Sequence, residues 1–416
     1  MRHIYSSMDI GSNSIKLIVC ELYKNKINLL AAAETPSIGI KRGLITDVEA
    51  AKSSIKKAFD EVESMLGIKI SKVIACLPSY GSDFEMIKGS TKIKNEKGII
   101  TGKNIKNSFE NAIKNRMPSE NEIVTDLVID FKVDDKHGIK EPAGLLANNL
   151  ESRSILVTVP KKNLYSVASV LESLGIELVD VTIGGIGDMA TFKNEKISDI
   201  VSAIINIGYE KTEVSLYNKG VIIRNSIIPL GGTQIDNDLA YIYKTTVKTA
   251  RKIKEKFALA HKRNSSVSDF YEITNNLEEK VKISQFEASE IILARLEEIL
   301  NKAKDDLSAL TTSNIDYIII TGGASNMQDF EYVANDIFGK KVVLGNVKML
   351  GIRSNIYSSA LGNIIHFINK LKLVSKEYTM ISEEDEEGLE NNEKGLLNNI
   401  DSNSMLGKVF GYFSGE

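Results

Sequence analysis

One run of predicted secondary structure occurs twice in this chain, and this repetition limits the fold more than any other feature. In the first half the predicted strands and helix are 4–10, 15–23, 26–34 and 47–66. In the second half their counterparts are 200–207, 212–217, 221–229 and a long helical region from 231 to about 260. Apolar spacing assigns each element, and Gly67 is a suitable residue to end the first helix. A duplicated strand, turn, strand, strand, helix unit predicts two like-folded halves with a cleft between them.

The composition excludes several classes of protein. Of 416 residues, 43% are hydrophobic and 26% are charged, which excludes a wholly disordered chain and predicts more than one domain. The net charge of −3 disfavours a nucleic-acid partner. No apolar run approaches the roughly 18 residues that span a membrane, and the N-terminus lacks the apolar core of a secretory signal. Cys20 and Cys76 lie in predicted buried strands, so we expect reduced cysteines in a cytoplasmic protein.

Three regions stand outside the repeat. Residues 83–160 carry their own strand, helix and strand pattern, which predicts a small inserted α+β subdomain. Residues 244–312 read as two helical regions separated by a polar loop at 263–276. Residues 375–404 hold nine acidic and two basic side chains, which predicts a flexible, acidic linker before apolar residues return at 405–413.

The first predicted turn, 9–16, has the composition of a phosphate loop. Gly11 permits a tight turn, and successive backbone N–H groups with the hydroxyls of Ser12 and Ser14 can form an anion-binding nest. Lys16 adds a cation, and Asp9 at the strand end could hold Mg²⁺ through water. An ordinary hairpin turn has a similar composition, so the motif alone leaves both interpretations open.

A second glycine motif follows the apolar strand 317–321. Gly322 and Gly323 come directly after this strand, and a helix is predicted to start near Met327. Paired glycines at the carboxyl end of a strand allow a ligand to lie against bare backbone, in the crevice where open sheets usually bind ligands. A tight turn without a ligand is the alternative interpretation.

Taken in order, these motifs resemble the actin-like ATPase superfamily, and within it the FtsA family of bacterial cell division proteins. Residues 37–47 are similar to that family's GIKxGxIxD segment, and 229–240 to its GGxxITxDIA run. The resemblance implies an α/β, actin-like (ribonuclease H-like duplicated) fold with an inserted subdomain and a disordered C-terminal tail. The implied subdomains are 1A (1–82 and 161–198), 1C (83–160), 2A (199–243 and 313–374) and 2B (244–312), followed by the linker and a tip at 405–416.

The resemblance also implies ATP and Mg²⁺ as cofactors. The residues implied to bind nucleotide are Asp9, Gly11, Ser12, Asn13, Ser14, Lys16, Asn206, Gly208, Gly231, Gly232, Thr233, Lys254, Gly322, Gly323 and Ala324, with Asp9 holding Mg²⁺ through water. The second phosphate loop departs from the family's DIGGGTTD pattern, because Asn206 lacks a charge and Tyr209 and Glu210 replace glycine. Arg251 stands where the family has an acid near the ribose. We therefore expect little or no ATP hydrolysis.

The implied partners are those of a division scaffold. They are the C-terminal peptide of the tubulin-like FtsZ, other copies of the chain in actin-like filaments, later division proteins at subdomain 1C, and the inner face of the cytoplasmic membrane. Arg295 and Glu298 fit the family's FtsZ-binding helix. Wound as a helix, the tip places Met405, Leu406, Val409, Phe410, Tyr412 and Phe413 on an apolar side suited to a membrane surface. An actin-fold ATPase or small-molecule kinase, and a pilus-assembly adaptor, are the alternatives.

Overall fold

The computed structural model describes residues 2–114, 116 and 120–389. Its strands are β1 (His3–Ile10), β2 (Ser14–Tyr23), β3 (Lys26–Pro36), β4 (Ile40–Lys41), β5 (Leu44–Ile45), β6 (Lys72–Leu77), β7 (Asp83–Lys92), β8 (Asn121–Val133), β9 (Lys136–Ile139), β10 (Asn149–Pro160), β11 (Glu177–Ile183), β12 (Val201–Ile207), β13 (Thr212–Asn218), β14 (Val221–Ile228), β15 (Phe270–Thr274), β16 (Lys280–Ser284), β17 (Tyr317–Thr321) and β18 (Val342–Leu344). Its helices are α1 (Val48–Leu66), α2 (Gly102–Ile113), α3 (Lys161–Ser173), α4 (Gly184–Phe192), α5 (Gly232–Ile242), α6 (Val247–Lys256), α7 (Gln285–Leu310), α8 (Phe330–Phe338) and α9 (Ser358–Leu373).

Two five-stranded sheets share one topology. The first has the order β3-β2-β1-β6-β11 and the second β14-β13-β12-β17-β18. In each, three consecutive strands form an antiparallel meander, and two later strands run parallel to its first strand. The predicted duplication and the α/β actin-like architecture are confirmed.

The turns of the two meanders explain why the strands pair in register. Lys24 and Asn25 both adopt positive φ, which suits the right-handed twist of a tight hairpin between β2 and β3. Lys219 and Gly220 do the same between β13 and β14. The polar turns predicted at these positions therefore close equivalent hairpins in the two halves.

Helix α1 begins and ends where the sequence predicts. The carboxylate of Asp47 accepts a hydrogen bond from the N–H of Ala50 at 3.1 Å, and Gly67 ends the helix in the left-handed conformation. Its apolar side, with Ile55 and Phe59, is buried against the first sheet. Burying such side chains stabilises the fold by about 1.5–3 kcal/mol each.

The inserted segment forms its own sheet, β7-β10-β8-β9, which is antiparallel throughout and is covered by α2. A separate apolar cluster containing Ile105, Phe131 and Leu150 fills the space between them. This small α+β unit lies between β6 and α3 in the chain, as predicted.

Two expectations for the second half are wrong in detail. The long helical region after Gly231 is two helices, because Lys244 adopts a positive φ of 49° and the hydroxyl of Thr246 caps α6 by accepting from the N–H of Thr249. The polar loop predicted at 263–276 contains β15, which pairs with β16 as a hairpin.

The C-terminal helix α9 packs against the first sheet and not, as its assignment to subdomain 2A implied, against the second. Its apolar residues Ala360, Ile364 and Phe367 cluster with side chains of β1, β2 and β6. It crosses α4 at glycines so close that a Cβ on Gly362 would lie 1.6 Å from the carbonyl oxygen of Gly187. Helices α4 and α9 thus join the two halves.

The folded region also extends beyond residue 375, where the acidic linker was expected to begin. The N–H of Met380 donates to the carbonyl oxygen of Ile4 at 2.9 Å, and the side chain of Met380 is buried. Residues 383–389 are helical and Leu389 joins the main core cluster. The apolar residues within this acidic stretch explain the correction. The remainder of the predicted linker and the whole tip lie outside the described residues.

Candidate functional site

The first phosphate loop is the β1–β2 turn, which leaves its backbone open to the cleft between the halves. Asp9 and Lys16 are opposite each other in the hairpin, and the Lys16 Nζ lies 3.5 Å from the Asp9 Oδ2. A Cβ on Gly11 would lie 2.8 Å from the carbonyl oxygen of Ser14 and 2.9 Å from the Lys16 Nζ. Only glycine therefore fits at position 11.

The two hydroxyls of this loop differ in their availability. The Ser12 oxygen accepts from the N–H of Gly43 at 2.9 Å, which leaves its own proton free to donate. The Ser14 hydroxyl instead donates to the Glu34 carboxylate at 2.7 Å. Of the two hydroxyls predicted to form a nest, Ser12 is the better placed to meet an anion.

The second phosphate loop, residues 208–211, is bonded to the start of α5. Its Gly208 and Tyr209 carbonyl oxygens accept from the N–H groups of Gly232 and Thr233, at 2.9 and 2.7 Å. The N–H of Gly231 donates to the Gln234 side chain. Helix N-termini often bind phosphate through such N–H groups. Here the N–H groups of Gly232 and Thr233 hold the loop, and that of Gly231 bonds within α5.

Side chains of the second half reach across the cleft to the first half. Glu210 accepts from the N–H of Arg42 at 2.5 Å, and the Arg251 guanidinium donates to the Asn13 side chain. Deeper in the cleft, the Ser79 hydroxyl donates to Glu213 at 2.7 Å. Residues that depart from the family pattern thus form direct contacts between the halves.

Lys254 is retained at the helix position that the family pattern predicts, and it is buried beside an acid. Its Nζ lies 2.6 Å from the Asp236 Oδ1 and 3.2 Å from the carbonyl oxygen of Gly232. Burial raises the pKa of Asp236, and the charge and hydrogen bond of the neighbouring Lys254 partly counteract this rise. Lys254 lines the cleft with its charge already partly balanced.

A buried acid that sequence analysis did not assign to the site lies behind the cleft lining, against the lining residues Asn206 and Ser359. Asp188 accepts hydrogen bonds from Asn206, Ser358 and Ser359, at 2.7, 2.6 and 2.9 Å. Burial raises its pKa from 3.8 to about 6, although these hydrogen bonds favour the ionised form. Asp188 follows the Gly-Ile-Gly sequence of α4, where this helix crosses α9. Nothing in the local sequence indicates that this acid lies near the cleft.

The glycine strand end forms the third wall. Asn206 and Thr321 are paired in the parallel β12–β17 register, so the ends of these strands lie together. Gly322 has a φ of 90°, and a Cβ there would lie 2.5 Å from the Asn206 Oδ1. A 3₁₀ turn at Gly323–Asn326 follows, and α8 starts at Phe330, later than the predicted helix start near Met327.

These walls enclose a cleft of about 500 Å³, which is within the range of small-molecule sites. Thirteen of the fifteen residues predicted to bind nucleotide line it, and Gly231 and Thr233 do not. The lining also includes polar side chains that were not predicted to bind nucleotide, among them Glu34, Lys211, Glu213, Arg251, Glu255, Asn326 and Asn355.

The two residues predicted to bind FtsZ lie outside this cleft, on α7. The Arg295 guanidinium donates to the Asp238 carboxylate from Nε at 2.6 Å and from Nη2 at 2.9 Å, and it also contacts Glu298. Within the described residues, no helix is long and apolar enough to cross a membrane, and no three acidic, histidine or cysteine side chains cluster as metal ligands. The tip residues predicted to bind the membrane are not among those described.

Two family models match the chain. One, described as Cell division protein FtsA, matches residues 203–362, and the other, described as the SHS2 domain inserted in FtsA, matches residues 81–158. Together the matches cover more than half of the chain. The chain is 28% identical to the cell division protein FtsA of Bacillus subtilis, over 87% of this chain and 82% of that protein. It is 29% identical to the FtsA of Staphylococcus epidermidis, over 93% and 83%.

Solved structures agree on the fold. A PilM–PilN type IV pilus biogenesis complex matches with a TM-score of 0.56 and 14% identity, over 89% of this chain and 98% of that one. MreB5 of Spiroplasma citri bound to ADP matches with a TM-score of 0.52 and 14% identity, over 89% and 98%. At these identities the likeness establishes the actin-like fold alone.

Proposed function

Because the chain belongs to the FtsA family of cell division proteins, we propose that it is a division adaptor. ATP binds in the cleft, copies assemble into actin-like filaments, and the α7 face binds the C-terminal peptide of FtsZ. The tip attaches the assembly to the inner face of the cytoplasmic membrane at the division site. Subdomain 1C, the inserted sheet with α2, binds later division proteins.

The observation that carries nucleotide binding is the pair of glycine-rich strand ends that face each other across the cleft. A Cβ on Gly11 would lie 2.8 Å from the Ser14 carbonyl oxygen and 2.9 Å from the Lys16 Nζ, so no side chain fits there. A Cβ on Gly323 would have only the Ile356 methyl group within contact, at 3.6 Å. Bare backbone thus lines both walls of a pocket that also holds Lys16 and Lys254. MreB5, a protein of the same fold, binds ADP and AMPPNP in solved structures, which supports a nucleotide as the ligand.

The residues present also suit one magnesium ion held largely by water and phosphate. Asp9 supplies a carboxylate at the β1 end, with 19% of its side chain exposed towards the cleft region. Mg²⁺ commonly keeps several waters and takes one or two carboxylates with the phosphates. The ion would balance phosphate charge, and Lys16 beside Asp9 would add a second cation.

The second loop argues against an enzyme whose purpose is ATP turnover. Hydrolysis needs a group that orients the attacking water. Of the candidate carboxylates, Glu210 accepts from the N–H of Arg42. Glu213 is held through Oε2 by Ser79 and Lys211, and only its buried Oε1 has no partner among the described residues. We therefore propose that nucleotide acts on conformation and assembly, with slow or no hydrolysis.

The FtsZ contact would use Arg295 by exchange of partners. Its guanidinium is held by Asp238 and Glu298 in the free protein, so it is oriented before any peptide arrives. Carboxylates of an acidic peptide could replace either partner, because bidentate arginine–carboxylate pairs are strong and directional. Glu298, released from Arg295, would then meet a basic or amide group of the peptide.

A three-part binding experiment tests the proposal. The full-length chain is mixed with vesicles of phosphatidylglycerol and phosphatidylethanolamine, with a fluorescent FtsZ C-terminal peptide, and with a fluorescent ATP analogue and Mg²⁺. We expect the protein to pellet with vesicles and to bind both probes. Deletion of residues 405–416 should abolish pelleting and leave both other signals unchanged, and Arg295→Ala should weaken only peptide binding. Enzyme-like phosphate release without peptide binding would contradict the adaptor assignment.

A further inference from the structure

A second pocket, of about 430 Å³, lies apart from the nucleotide cleft. It forms where α2 and β8 of the inserted subdomain meet α4, α9 and the β13–β14 turn. Its lining is mostly apolar and includes Phe109, Leu127, Ile186, Met189, Ile222 and Phe367. Because the two pockets share none of their lining residues, the nucleotide does not account for this one.

Two buried polar atoms in this pocket have no hydrogen-bond partner among the described residues. They are the Oδ2 of Asp126 and the Nε2 of His366. Burial raises the pKa of Asp126, which the charge of Lys370 only partly opposes. Burial together with Lys370 lowers the pKa of His366 to about 3, so the imidazole is neutral at neutral pH. A buried polar group without a partner is unfavourable, which favours a ligand that supplies a donor.

Basic side chains also line the pocket, in addition to the buried acid Asp126. Lys106, Lys193 and Lys376 are all part of the lining. Lys370, on α9, is paired with Asp180 at 2.9 Å. A suitable occupant would therefore combine an apolar body, a cation for the interior and acidic groups for the other lysines.

The C-terminal tip of this chain has that combination. Phe410 and Phe413 are one helical turn apart in sequence and supply an apolar body of suitable size. Lys408 is the only cation of residues 405–416 and would pair with Asp126. Glu416 and the acids of the preceding segment would meet the lysines.

Chain length permits this contact. Lys376 lines the pocket, and Leu389 follows it by 13 residues, so at about 3.5 Å per residue the two lie no more than about 45 Å apart. The 15 residues from 390 to 404 can span about 50 Å when extended. The tip can therefore reach the pocket of its own chain.

We propose that, away from a membrane, residues 405–413 dock in this pocket of their own chain, with Lys408 against Asp126. This inference rests on the proposed function, because the same apolar residues are proposed to bind the membrane. Membrane binding and docking are then mutually exclusive. Helix α9 contributes to both pockets, with Ser359 at the cleft and Phe367 here.

A photo-crosslinking experiment on the full-length chain tests the proposal. Benzoylphenylalanine replaces Phe410, and irradiation without lipid should crosslink it within the same chain to residues 102–113, 121–133 or 358–374. Saturating phosphatidylglycerol vesicles should lower this yield at least tenfold. Asp126→Asn and, separately, Lys408→Glu should each lower it about fivefold. Asp130→Asn is the matched control, because Asp130 lies on the same strand but pairs with Arg153 outside the pocket.

The outcomes separate this inference from the proposed function. If the protein pellets with vesicles but the probe labels other segments, or labels a second copy, docking in the same chain is wrong and the membrane anchor stands. If the probe labels the pocket while vesicles neither pellet the protein nor lower the yield, docking stands and the membrane anchor is wrong. An equal loss of yield in Asp130→Asn and Asp126→Asn would also overturn the assignment of Asp126.

Discussion

The two phosphate loops occupy equivalent places in the two halves, yet they have opposite characters. The first joins β1 to β2 through Gly11, Ser12 and Asn13, and its backbone faces the cleft. The second joins β12 to β13 through residues 208–211, and the side chain of Glu210 crosses the cleft to the N–H of Arg42 in the first half. The Arg251 guanidinium lies over the ring of Tyr209 in a cation–π contact, with 5.1 Å between the guanidinium carbon and the ring centroid.

This difference shows which constraints a duplicated fold imposes. Topology requires that the ends of the central strands meet at the cleft, and both halves obey it. It does not require glycine in the connecting loops, because a loop can be held either by a bound phosphate or by side-chain contacts of its own. In the function that we propose, a phosphate holds the first loop, whereas contacts of Glu210, Lys211 and Arg251 hold the second loop and its surroundings.

The largest expected effect is at the strand end that both loops face. Gly322→Ala should lower the free energy of unfolding by about 3–5 kcal/mol, because alanine is strained at a φ of 90° and its Cβ would lie 2.5 Å from the Ile207 carbonyl oxygen. Urea unfolding measures this loss. The matched control, Gly323→Ala, should lose less than about 1 kcal/mol, since its Cβ meets only Ile356 at 3.6 Å. Equal losses would show that the close approach at Gly322 is not the cause.

Two carboxylates near the cleft, Asp9 and Asp188, give the next largest effect. Asp9 faces Lys16, whereas the buried Asp188 faces only Asn206 and serine hydroxyls. The folded-state pKa of Asp188 is raised from 3.8 to about 6, so between these values the folded protein binds more protons than the unfolded chain. Its contribution to the free energy of unfolding should therefore fall by roughly 2–3 kcal/mol as the pH rises from 4 to 6, and stay low above that.

Asp188→Asn isolates this contribution. The amide keeps a similar shape and has no proton to lose in this range. We expect urea unfolding at several pH values to show that the variant gains stability relative to the unmodified chain as the pH rises from 4 to 6. A difference between Asp188→Asn and the unmodified chain that is constant with pH would rule out the buried titration.

Glycines of the two loops provide a direct comparison. Gly11→Ala should weaken nucleotide binding about 30-fold, because the new Cβ displaces either the Ser14 carbonyl or the Lys16 ammonium. Gly208→Ala should weaken it about threefold, since its Cβ meets only the Lys211 carbonyl, at 3.0 Å. Titration with a fluorescent ATP analogue measures both. A reversed order would mean that the second loop, despite its side chains, is the main phosphate contact.

Sequence reasoning reached the fold because the patterns that specify it are local. Alternating apolar strands, the turns at Lys24 and Lys219, and the stop at Gly67 are each readable within a few residues. It failed for α9, since an apolar helix carries no sign of which sheet it covers, and that choice depends on the glycine crossing with α4.

The same distinction applies to the site. Gly11, Lys16 and Gly322 belong to short motifs and could be predicted. Asp188, behind the lining, and Asn355, within it, could not, because their positions depend on contacts between elements that lie far apart in sequence. Gly231 and Thr233 fit a family pattern, yet the structure uses the N–H group of Thr233 to hold the second loop and that of Gly231 to cap α5 with Gln234.

The smallest expected effect comes from removing one contact across the cleft. Glu210→Gln keeps an acceptor for the N–H of Arg42 and removes a negative charge from the phosphate side, so nucleotide should bind about three to five times more tightly. The gain should shrink as salt is raised, because it is electrostatic. Glu255→Gln is the control for a charge elsewhere in the cleft wall, where the carboxylate pairs with Arg251 at 2.7 Å. Tighter binding in Glu255→Gln but not in Glu210→Gln would place the phosphates nearer to α6 than to the second loop. The charge of the second loop would then not be what lowers nucleotide affinity.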